Sequence, residues 1–516
     1  MEYGIISLLP PVVAIGLALW SKQTILSLIV AVWLGSTIIN GWNPIVGLLQ
    51  VVPDFLIPSI ADEWNASLLI LVTVAGGFVH MLRTTGAAKA FANMVRGSID
   101  SPKKAQVATW GSAFVFSYTE PCLILGTIMR PITDASRVSR AKLAYILDSM
   151  GVNLASFSPI SSYGPFITGL IATQLAAANL TDNSWGVWAQ MLTFNMYGGL
   201  AMLTVLIVAL FGLNVGSMYR EERRARKTGQ LLPDGVEPIV PEIADGLDAA
   251  YSPKPYVFVL PLLGLFGTLF AVIFYTGDVM ANGFVGSFLE GSITLAITMG
   301  FLVGGLVAGI VGVVDKTFKP LQGFDNFVQG MADMIYVPFI LVSAWAIGKV
   351  TGAMGVGAFL SDAVAGFLAP GLVPALVFVI SAAIAFATGS SWGVWAIMMP
   401  IAFPMAVAFD LPVAFIAAAV VGGGLFGDQC SPISDTTIMS STGAMCNHVL
   451  HVNTQLPYGL SVGVAAISGF LLGGLTGLYY LGWVLALVIL LAILVVMHRS
   501  SYNKAHTRAD LVTQEA

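Results

Sequence analysis

The chain has 516 residues, of which 57% are hydrophobic and only 9% are charged, whereas soluble domains carry about 25% charged residues. This composition excludes a soluble globular protein and predicts an all-α polytopic membrane protein. The net charge of −5 says little by itself, and we expect no nucleic-acid partner. The three cysteines (Cys122, Cys430 and Cys446) have a spacing that indicates neither a metal site nor a disulfide framework.

Apolar runs of near-spanning length recur along the whole chain, and the first run lacks the basic flank and cleavage site of a signal peptide. We predict membrane helices at about residues 5–20, 24–39, 67–82, 143–158, 165–178, 187–213, 256–275, 293–314, 331–347, 373–388, 392–409, 411–426, 458–475 and 479–497. Residues 106–129 are also apolar but are interrupted by Ser117-Tyr118-Thr119-Glu120-Pro121.

Basic residues cluster at 83–104, 130–142, 220–254, 316–319 and 499–508, and cytoplasmic loops are enriched in Lys and Arg. If all these clusters are cytoplasmic, segment 106–129 enters and leaves on the same side and is a re-entrant hairpin. The same logic makes 373–409 a second hairpin, with its tip at Thr388-Gly389-Ser390-Ser391. The N-terminus then lies outside and the C-terminus inside.

The two halves of the chain resemble one another. Ser158-Pro159-Ile160-Ser161 recurs as Ser431-Pro432-Ile433-Ser434, and Ile128 to Ile132 aligns with Ile397 to Ile401. Since the basic loops give the halves opposite orientations, this is an inverted repeat, an architecture of secondary transporters. We predict a first repeat at 1–216 with a broken helix at about 143–178, a cytoplasmic linker at 217–255, a second repeat at 256–498 with a broken helix at about 411–450, and a cytoplasmic tail at 499–516.

The most polar stretch inside an apolar span is Gly427 to Thr437, which carries Asp428 and Asp435 on either side of Pro432. A carboxylate at the centre of a membrane helix costs about 2.5–3.5 kcal/mol, and broken backbone at this depth is tolerated only where protein or a wet cavity covers it. The stretch is therefore interpreted as an unwound segment that lines an ion or substrate site. At the register of the repeat, Asp428 aligns with Ala155 and Asp435 with Ser162.

Further candidates lie at the hairpin tips and in the first broken helix. Glu120 and Asp148 are candidates for ion or proton coupling, although Asp148 could instead form an ion pair with Arg140 or Lys142. Oxygen atoms for a substrate or ion, including sodium at Asp428, Ser431 and Asp435, are expected from a wider set: Thr119, Asn153, Ser158, Ser161, Thr388, Gly389, Ser390, Ser391, Ser431, Ser434, Thr436 and Thr437.

The stretch from Gly427 to Thr437, the segment from His451 to Tyr458 and the tip at Thr388 resemble the NhaC-type sodium/proton antiporter family. The resemblance covers about residues 67–460. It implies two inverted-topology repeats, each with a re-entrant helical hairpin and a broken helix, an elevator-type mechanism and a homodimer in a bacterial inner membrane. It implies Na+ and H+ as the transported or coupling ions and no cofactor.

The chain departs from the family pattern at Gln429, where a histidine is common, and at Asn447 and Leu450, where acidic residues are common. These departures keep a second transport function open: sodium- or proton-coupled movement of a small amino acid or organic acid. An intramembrane aspartyl protease is a remote alternative, because Leu425 replaces the first glycine of its Gly-x-Gly-Asp pattern. A passive channel is a further alternative. The sequence therefore favours a secondary active transporter, with sodium/proton antiport first, and not an enzyme.

Overall fold

Backbone amides inside a bilayer have no water to bind, so chains of this composition fold into helices that satisfy their own N–H and C=O groups. The computed structural model describes residues 3–21, 23–95, 99–116, 121–238, 252–356, 359, 369–432 and 434–514. Within these ranges the regular structure is helical throughout. Ten described helices are long and apolar enough to cross a membrane, or up to eleven if a bent pair within 25–60 is one span. The predicted all-α membrane fold is confirmed.

The α-helices of the first half are α1 (Leu9–Ser21), α2 (Thr24–Ile39), α3 (Pro44–Gln50), α4 (Ile57–Ile60), α5 (Glu63–Thr84), α6 (Ala87–Val95), α7 (Pro102–Val115), α8 (Pro121–Ala135), α9 (Arg140–Phe157), α10 (Tyr163–Ala177), α11 (Ser184–Phe194), α12 (Met196–Phe211) and α13 (Gly216–Thr228). Short 3-10 helices lie at Gly4–Leu8 and Pro370–Leu372, and a π-helical turn at Val51–Leu56 joins α3 to α4.

The α-helices of the second half are α14 (Tyr256–Thr276), α15 (Val279–Glu290), α16 (Ile293–Val314), α17 (Pro320–Asp333), α18 (Tyr336–Ala353), α19 (Val373–Thr388), α20 (Ser391–Ala408), α21 (Val413–Cys430), α22 (Asp435–Gly443), α23 (His448–Thr476) and α24 (Tyr479–Gln514). Helices α7 and α8 form hairpin 1, and helices α19 and α20 form hairpin 2. Gly389 ends α19 with a φ of +69°, a conformation that glycine adopts without strain.

Both Ser-Pro-Ile-Ser segments interrupt a helix. Break 1 (158–162) separates α9 from α10, and break 2 (431–434) separates α21 from α22. The first serine of each break has an extended backbone, with ψ of 120° at Ser158 and 131° at Ser431, because a residue before proline is disfavoured in the helical region. The N–H groups of both serines bond three residues back at 3.2 Å, to Ala155 and Asp428. The repeat is therefore visible in the backbone.

The repeats are interlocked at the broken helices. Helix α8 of hairpin 1 packs against α22 of the second half, and helix α20 of hairpin 2 packs against α10 of the first half. The α8–α22 contact is so close that a Cβ on Gly126 would lie 2.7 Å from the backbone of Gly443. Helices α9 and α21 also contact each other, so both breaks lie in the same central region.

Burial separates this central region from the periphery. In α21, 89% of the apolar window is buried inside the protein, compared with 28% in α14 and 22% in α24. Helix α9 is likewise buried along almost its whole length. Helices α14 and α24 therefore present apolar surface outwards, whereas α9 and α21 can carry polar side chains shielded from lipid.

Helix α13 of the linker is attached to the start of α9 by a buried carboxylate. Oxygen Oε1 of Glu222 accepts hydrogen bonds from the backbone N–H of Ser139 at 2.9 Å and from its hydroxyl at 2.8 Å. Oxygen Oε2 of Glu222 accepts one from Arg226 at 3.3 Å. Since the Ser139 hydroxyl in turn accepts from Lys142 N–H at 3.2 Å and caps α9, this linker clasp (Glu222, Ser139, Arg226) fixes the first turn of a site helix.

Candidate functional site

Asp428 lies at the last turn of α21, immediately before break 2, and is 1% exposed. Its Oδ1 accepts hydrogen bonds from the hydroxyls of Ser434 at 2.5 Å and Thr436 at 3.1 Å. Its Oδ2 accepts from the backbone N–H of Ser391 at 3.1 Å. The chain turns back at break 2, so that the hydroxyls a few residues later reach the carboxylate. Hairpin 2 adds a donor from a distant part of the chain.

Two helix N-termini converge on this carboxylate. Ser391 is the first residue of α20, and Ser434 is the N-cap of α22. The unpaired N–H groups of a first helical turn carry partial positive charge, which stabilises a nearby anion by about 0.3–1 kcal/mol, and more where the site is partly buried. None of the basic side chains that the structure describes forms an ion pair with Asp428. The negative charge is therefore held by dipoles and hydroxyls.

Asp148 is a second carboxylate in the same region, on α9, and is fully buried. Its Oδ2 accepts hydrogen bonds from the hydroxyl of Thr437 at 3.0 Å and from Nε2 of Gln455 at 2.6 Å. His451 Nε2 lies 4.0 Å from the same oxygen. The other oxygen, Oδ1, has no hydrogen-bond partner among the described residues. A buried carboxylate oxygen without a donor is costly, and is suited to receive a cation or a proton.

The alternative that Asp148 pairs with Arg140 or Lys142 is not observed in the described structure. Arg140 instead forms an ion pair with Asp134 at 3.2 Å. The Lys142 amine lies 5.5 Å from the ring centre of Tyr145 and 5.4 Å from that of Tyr458. Because neither cation reaches Asp148, its carboxylate is not neutralised by a lysine or an arginine.

The two carboxylates are connected through adjacent residues of α22. Thr436 donates its hydroxyl to Asp428, and Thr437 donates its hydroxyl to Asp148. The hydroxyl of Ser434 also lies 2.9 Å from that of Thr436. The first turn of α22 therefore lies between the two acidic groups and presents oxygen atoms to both. This joint environment of Asp148 and Asp428 does not follow from their positions in the sequence.

Gln429 connects α9, α12 and α21 beneath this cluster. Its Oε1 accepts hydrogen bonds from Asn153 and from the hydroxyl of Tyr197, both at 2.9 Å, and its Nε2 donates to Ser149 at 2.7 Å. The residue that departs from the family pattern is thus bonded on both ends of its amide. The side-chain oxygen Oδ1 of Asn153 has no hydrogen-bond partner among the described residues. It is a second buried oxygen without a donor in this region, after Oδ1 of Asp148.

Other predicted site residues bond to backbone groups instead. The hydroxyl of Thr388 donates to Ile384 O at 2.8 Å, and that of Ser431 donates to Phe386 O at 2.8 Å. In break 1, Ser161 donates to Ala155 O at 2.5 Å and to the carbonyl of Ser158 at 3.0 Å. Gly389 and Ser390 form the turn of hairpin 2 between α19 and α20. These residues shape the breaks and the tip, and their oxygens are not directed at Asp428 through any of these bonds.

Three predicted residues fall wholly or partly outside the description. Thr119 and Glu120 lie outside the described residues, as does the side chain of Asp435, the first residue of α22. Among the groups that the structure does describe, no cluster of three or more His, Cys, Asp or Glu side chains could hold a metal ion. A cation bound here would be coordinated largely by hydroxyl, amide and backbone oxygens, the ligands that hard cations prefer.

Sequence reasoning did not place Gln455 and His451 beside Asp148. His451 and Gln455 are four residues apart on α23 and therefore share one face of that helix, which is the signal that could have paired them. Their contact with Asp148 depends on how α23 packs against α9 and could not be deduced from spacing alone.

Comparisons with known proteins agree with this architecture. The Na+/H+ antiporter family matches residues 154–475. A Haemophilus influenzae protein described as uncharacterized is 32% identical over 486 residues, covering 91% of each chain. The malate-2H(+)/Na(+)-lactate antiporter of Bacillus subtilis is 27% identical over 31% of this chain and 34% of its own.

Among solved structures, the YdaH transporter of Alcanivorax borkumensis superposes with a TM-score of 0.53 at 14% identity, covering 84% of this chain and 90% of its own. At this identity the likeness shows a shared fold. The family match extends over more than half of the chain and includes α10, break 2 and both helices of hairpin 2. The chain is therefore a member of the Na+/H+ antiporter family of secondary transporters.

Proposed function

We propose that this protein exchanges Na+ for H+ across a membrane, with Asp428 and Asp148 as the ion-binding carboxylates. The observation that supports this proposal is a pair of buried acidic groups that are joined to no lysine or arginine in the described structure. Asp428 is held by hydroxyls and by the N-terminus of α20, and Asp148 is held by the hydroxyl of Thr437 and the amide of Gln455. A carboxylate in such surroundings is neutralised by a bound cation or by a proton. Competition between these two states is the chemical basis of antiport.

In this mechanism Na+ occupies oxygen ligands near Asp428, with Ser434, Thr436, Ser431 and Asp435 as candidate donors. Protonation of the carboxylate removes the charge that attracts Na+ and converts one acceptor oxygen into a donor. The cation then leaves, and the protonated carrier returns. Thr119 and Glu120, which lie in the sequence between α7 and α8 and outside the described residues, are proposed to couple this exchange.

Asp428 and Asp148 are both buried, so we infer that Na+ reaches them after a conformational change. We assign this change to an elevator-type movement of the hairpins and broken helices against a scaffold that includes α14, α16 and α17. The scaffold helices contact one another and α5, whereas α19, α20 and α21 form a separate contacting group. Homodimerisation through the scaffold, an inner-membrane location and a cytoplasmic C-terminus complete the proposal.

Coupled transport of a small organic acid is a second candidate. Its support is the Bacillus subtilis relative, whose name states malate and lactate, together with the N-terminus of α20 at the tip of hairpin 2. A helix N-terminus of this kind can hold a carboxylate group. In the present conformation Asp428 occupies that position, so an organic acid would have to compete with the side chain of Asp428.

The test is flux in proteoliposomes that contain the purified protein and a pH-sensitive dye. An inward Na+ gradient should drive H+ out and raise the lumenal pH with no organic compound present. Lower external pH should raise the Na+ concentration needed for half-maximal flux, since protons compete for the same carboxylates. A silent pH trace combined with Na+-dependent uptake of one labelled organic or amino acid would overturn antiport and support the second candidate.

A further inference from the structure

Two histidines and a serine form a continuous hydrogen-bonded chain beside Asp148. Nδ1 of His448 lies 3.1 Å from the hydroxyl of Ser441, and Nδ1 of His451 lies 2.9 Å from the same hydroxyl. His451 is fully buried, whereas His448, at the start of α23, is partly exposed. The chain therefore leads from accessible surface to the buried face of α9.

Both Nε2 atoms face carbonyl oxygens, so each of them must carry hydrogen. Nε2 of His448 lies 2.6 Å from Pro432 O, and Nε2 of His451 lies 3.0 Å from Oε1 of Gln455. The orientation of the Gln455 amide follows from its Nε2, which donates to Asp148 and to Gln429 O. Its Oε1 is therefore the acceptor that faces His451.

If every contact in this network is a hydrogen bond, the network holds one hydrogen more than two neutral rings supply. Two Nδ1 atoms face the single hydroxyl of Ser441, which can donate to only one of them. The other ring must supply its own hydrogen and is then an imidazolium. If the Ser441 hydroxyl instead donates to Thr437 O, which is 2.8 Å away, both rings must be protonated. Full hydrogen bonding in this geometry thus stores at least one proton between the two histidines.

The inner end of the chain reaches the site. His451 Nε2 lies 4.0 Å from Oδ2 of Asp148, a gap that a small side-chain movement or one water molecule would close. Asp148 is the acidic group that faces His451 from α9, and His448 is the titratable group on its own helix. Helix α22 contributes the hydroxyls of Ser441 and Thr437.

We propose that His448, Ser441 and His451 form a proton relay that connects Asp148 to the surface beside the linker; the inference rests on the proposed Na+/H+ exchange.

In the inward direction, Nδ1–H of His448 passes its proton to Ser441 Oγ while the Ser441 hydroxyl hydrogen passes to Nδ1 of His451. The resulting imidazolium gives its Nε2 proton to the Asp148 carboxylate. His448 then recovers a proton from solvent, and His451 returns to its starting tautomer by exchange with water, in which Nε2 gains one proton and Nδ1 loses one. Neighbouring Asn447 donates to Glu237 O at 3.0 Å, which places this entrance next to the linker.

The experiment separates proton transfer from sodium binding. In proteoliposomes, 22Na+/Na+ exchange at equal pH requires only the sodium-loaded carrier, whereas Na+-driven H+ movement requires both ions. Ser441→Ala interrupts the relay and leaves both histidines in place. We expect Na+-driven H+ movement to fall at least 10-fold while 22Na+/Na+ exchange stays within 2-fold of wild type. His448→Gln, at the partly exposed end, should show the same selective loss and provides a second variant if Ser441→Ala folds poorly.

Thr442→Ala is the matched control, because Thr442 is adjacent on α22 but donates its hydroxyl to Ile438 O. Unchanged H+ movement in Ser441→Ala and His448→Gln, or equal losses in both transport modes, would overturn the relay. Absence of Na+-driven H+ movement in the wild-type protein would instead overturn the proposed function, and with it the relay. The relay would be supported if Thr442→Ala keeps both transport modes while Ser441→Ala and His448→Gln lose only Na+-driven H+ movement.

Discussion

Break 1 and break 2 share the Ser-Pro-Ile-Ser sequence and the same turn, but their fourth residues bond to different partners. The hydroxyl of Ser161 in break 1 donates to the backbone carbonyl of Ala155. The equivalent hydroxyl of Ser434 in break 2 donates to the side chain of Asp428, which occupies the position of Ala155 in the repeat. A backbone oxygen in one half is thus replaced by a carboxylate oxygen in the other.

This difference indicates how one of two similar helix breaks can gain an ion-binding group. In break 1 the hydroxyl of Ser161 donates to the carbonyl groups of Ala155 and Ser158. Break 2 concentrates negative charge between the N-termini of α20 and α22, where a mobile cation or proton can balance it. The proline and serine residues are common to both breaks, and we propose that the acidic residue provides the function of break 2.

Asp428→Asn makes break 2 chemically closer to break 1 and should have the largest effect. The amide keeps the size of the side chain but removes the charge that Na+ and H+ compete to neutralise. Hydrogen bonds to charged groups contribute about 1.5–3 kcal/mol, so we expect about a 10- to 150-fold loss of Na+-driven H+ flux. Normal insertion and a monodisperse elution profile should accompany the loss. Wild-type flux in this variant would refute the assignment of Asp428.

Asp148→Asn tests whether the first half contributes its own ionisable group despite the neutral break 1. Because Asp148 has one unpartnered oxygen and lies next to the proposed relay, we expect about a 10-fold fall in Na+-driven H+ flux, with the proton-limited step most affected. Flux measured across a range of external pH should lose its wild-type pH dependence. An unaltered pH profile would assign Asp148 to structure alone.

Ser434→Ala removes the closest hydroxyl from Asp428 and should have a moderate effect. The lower end of the range for a hydrogen bond to a charged group, about 1.5 kcal/mol, corresponds to about a 10-fold change in the half-saturating Na+ concentration. Measurement of initial flux against Na+ concentration would show the change in apparent affinity. A changed maximal rate with unchanged affinity would indicate that Ser434 controls movement instead of binding.

Ser161→Ala is the matched variant in break 1 and should have the smallest effect on transport. Its hydroxyl bonds only to backbone groups within and next to its own break in the described structure, so flux should stay within about 2-fold of wild type. The free energy of unfolding should fall by about 1 kcal/mol, measurable as a lower denaturation midpoint in detergent. Equal losses of sodium affinity in Ser161→Ala and Ser434→Ala would remove the functional distinction between the breaks.

Much of the architecture could be predicted because it depends on local patterns. Apolar run length identified most helices, and the proline within each Ser-Pro-Ile-Ser segment identified the helix breaks. Part of the neighbourhood of Asp428 could also be predicted, because Ser434 and Thr436 follow it closely in the chain. The domain boundaries and the elevator movement stay predictions, since they concern the membrane and a second conformation.

The contacts of Asp148 could not be predicted from the sequence, for a physical reason. Its partners Thr437 and Gln455 come from the other half of the chain, and their approach depends on the packing of α9 against α22 and α23. The sequence allowed either a site role for Asp148 or an ion pair with Arg140 or Lys142, but Arg140 pairs with Asp134 and Lys142 lies over two tyrosine rings. Local spacing identifies possible neighbours on one helix, whereas tertiary packing decides which contacts form.

The linker clasp also suggests a position at which the polypeptide could be cut without separating the two halves. Glu222 attaches α13 to the start of α9, while Ser217 donates to Asn453 O at 2.9 Å and His498 lies 2.8 Å from Asn214 O, both contacts with the second half. A chain cut after residue 238 would leave α13 attached to the first half, where Glu222 holds the N-cap residue of α9. It would also leave intact the surface of α13 that contacts α23 and α24. We therefore expect residues 1–238 and 252–516 to reassemble when produced as two separate polypeptides, because side-chain contacts, and not the covalent connection, would align the halves.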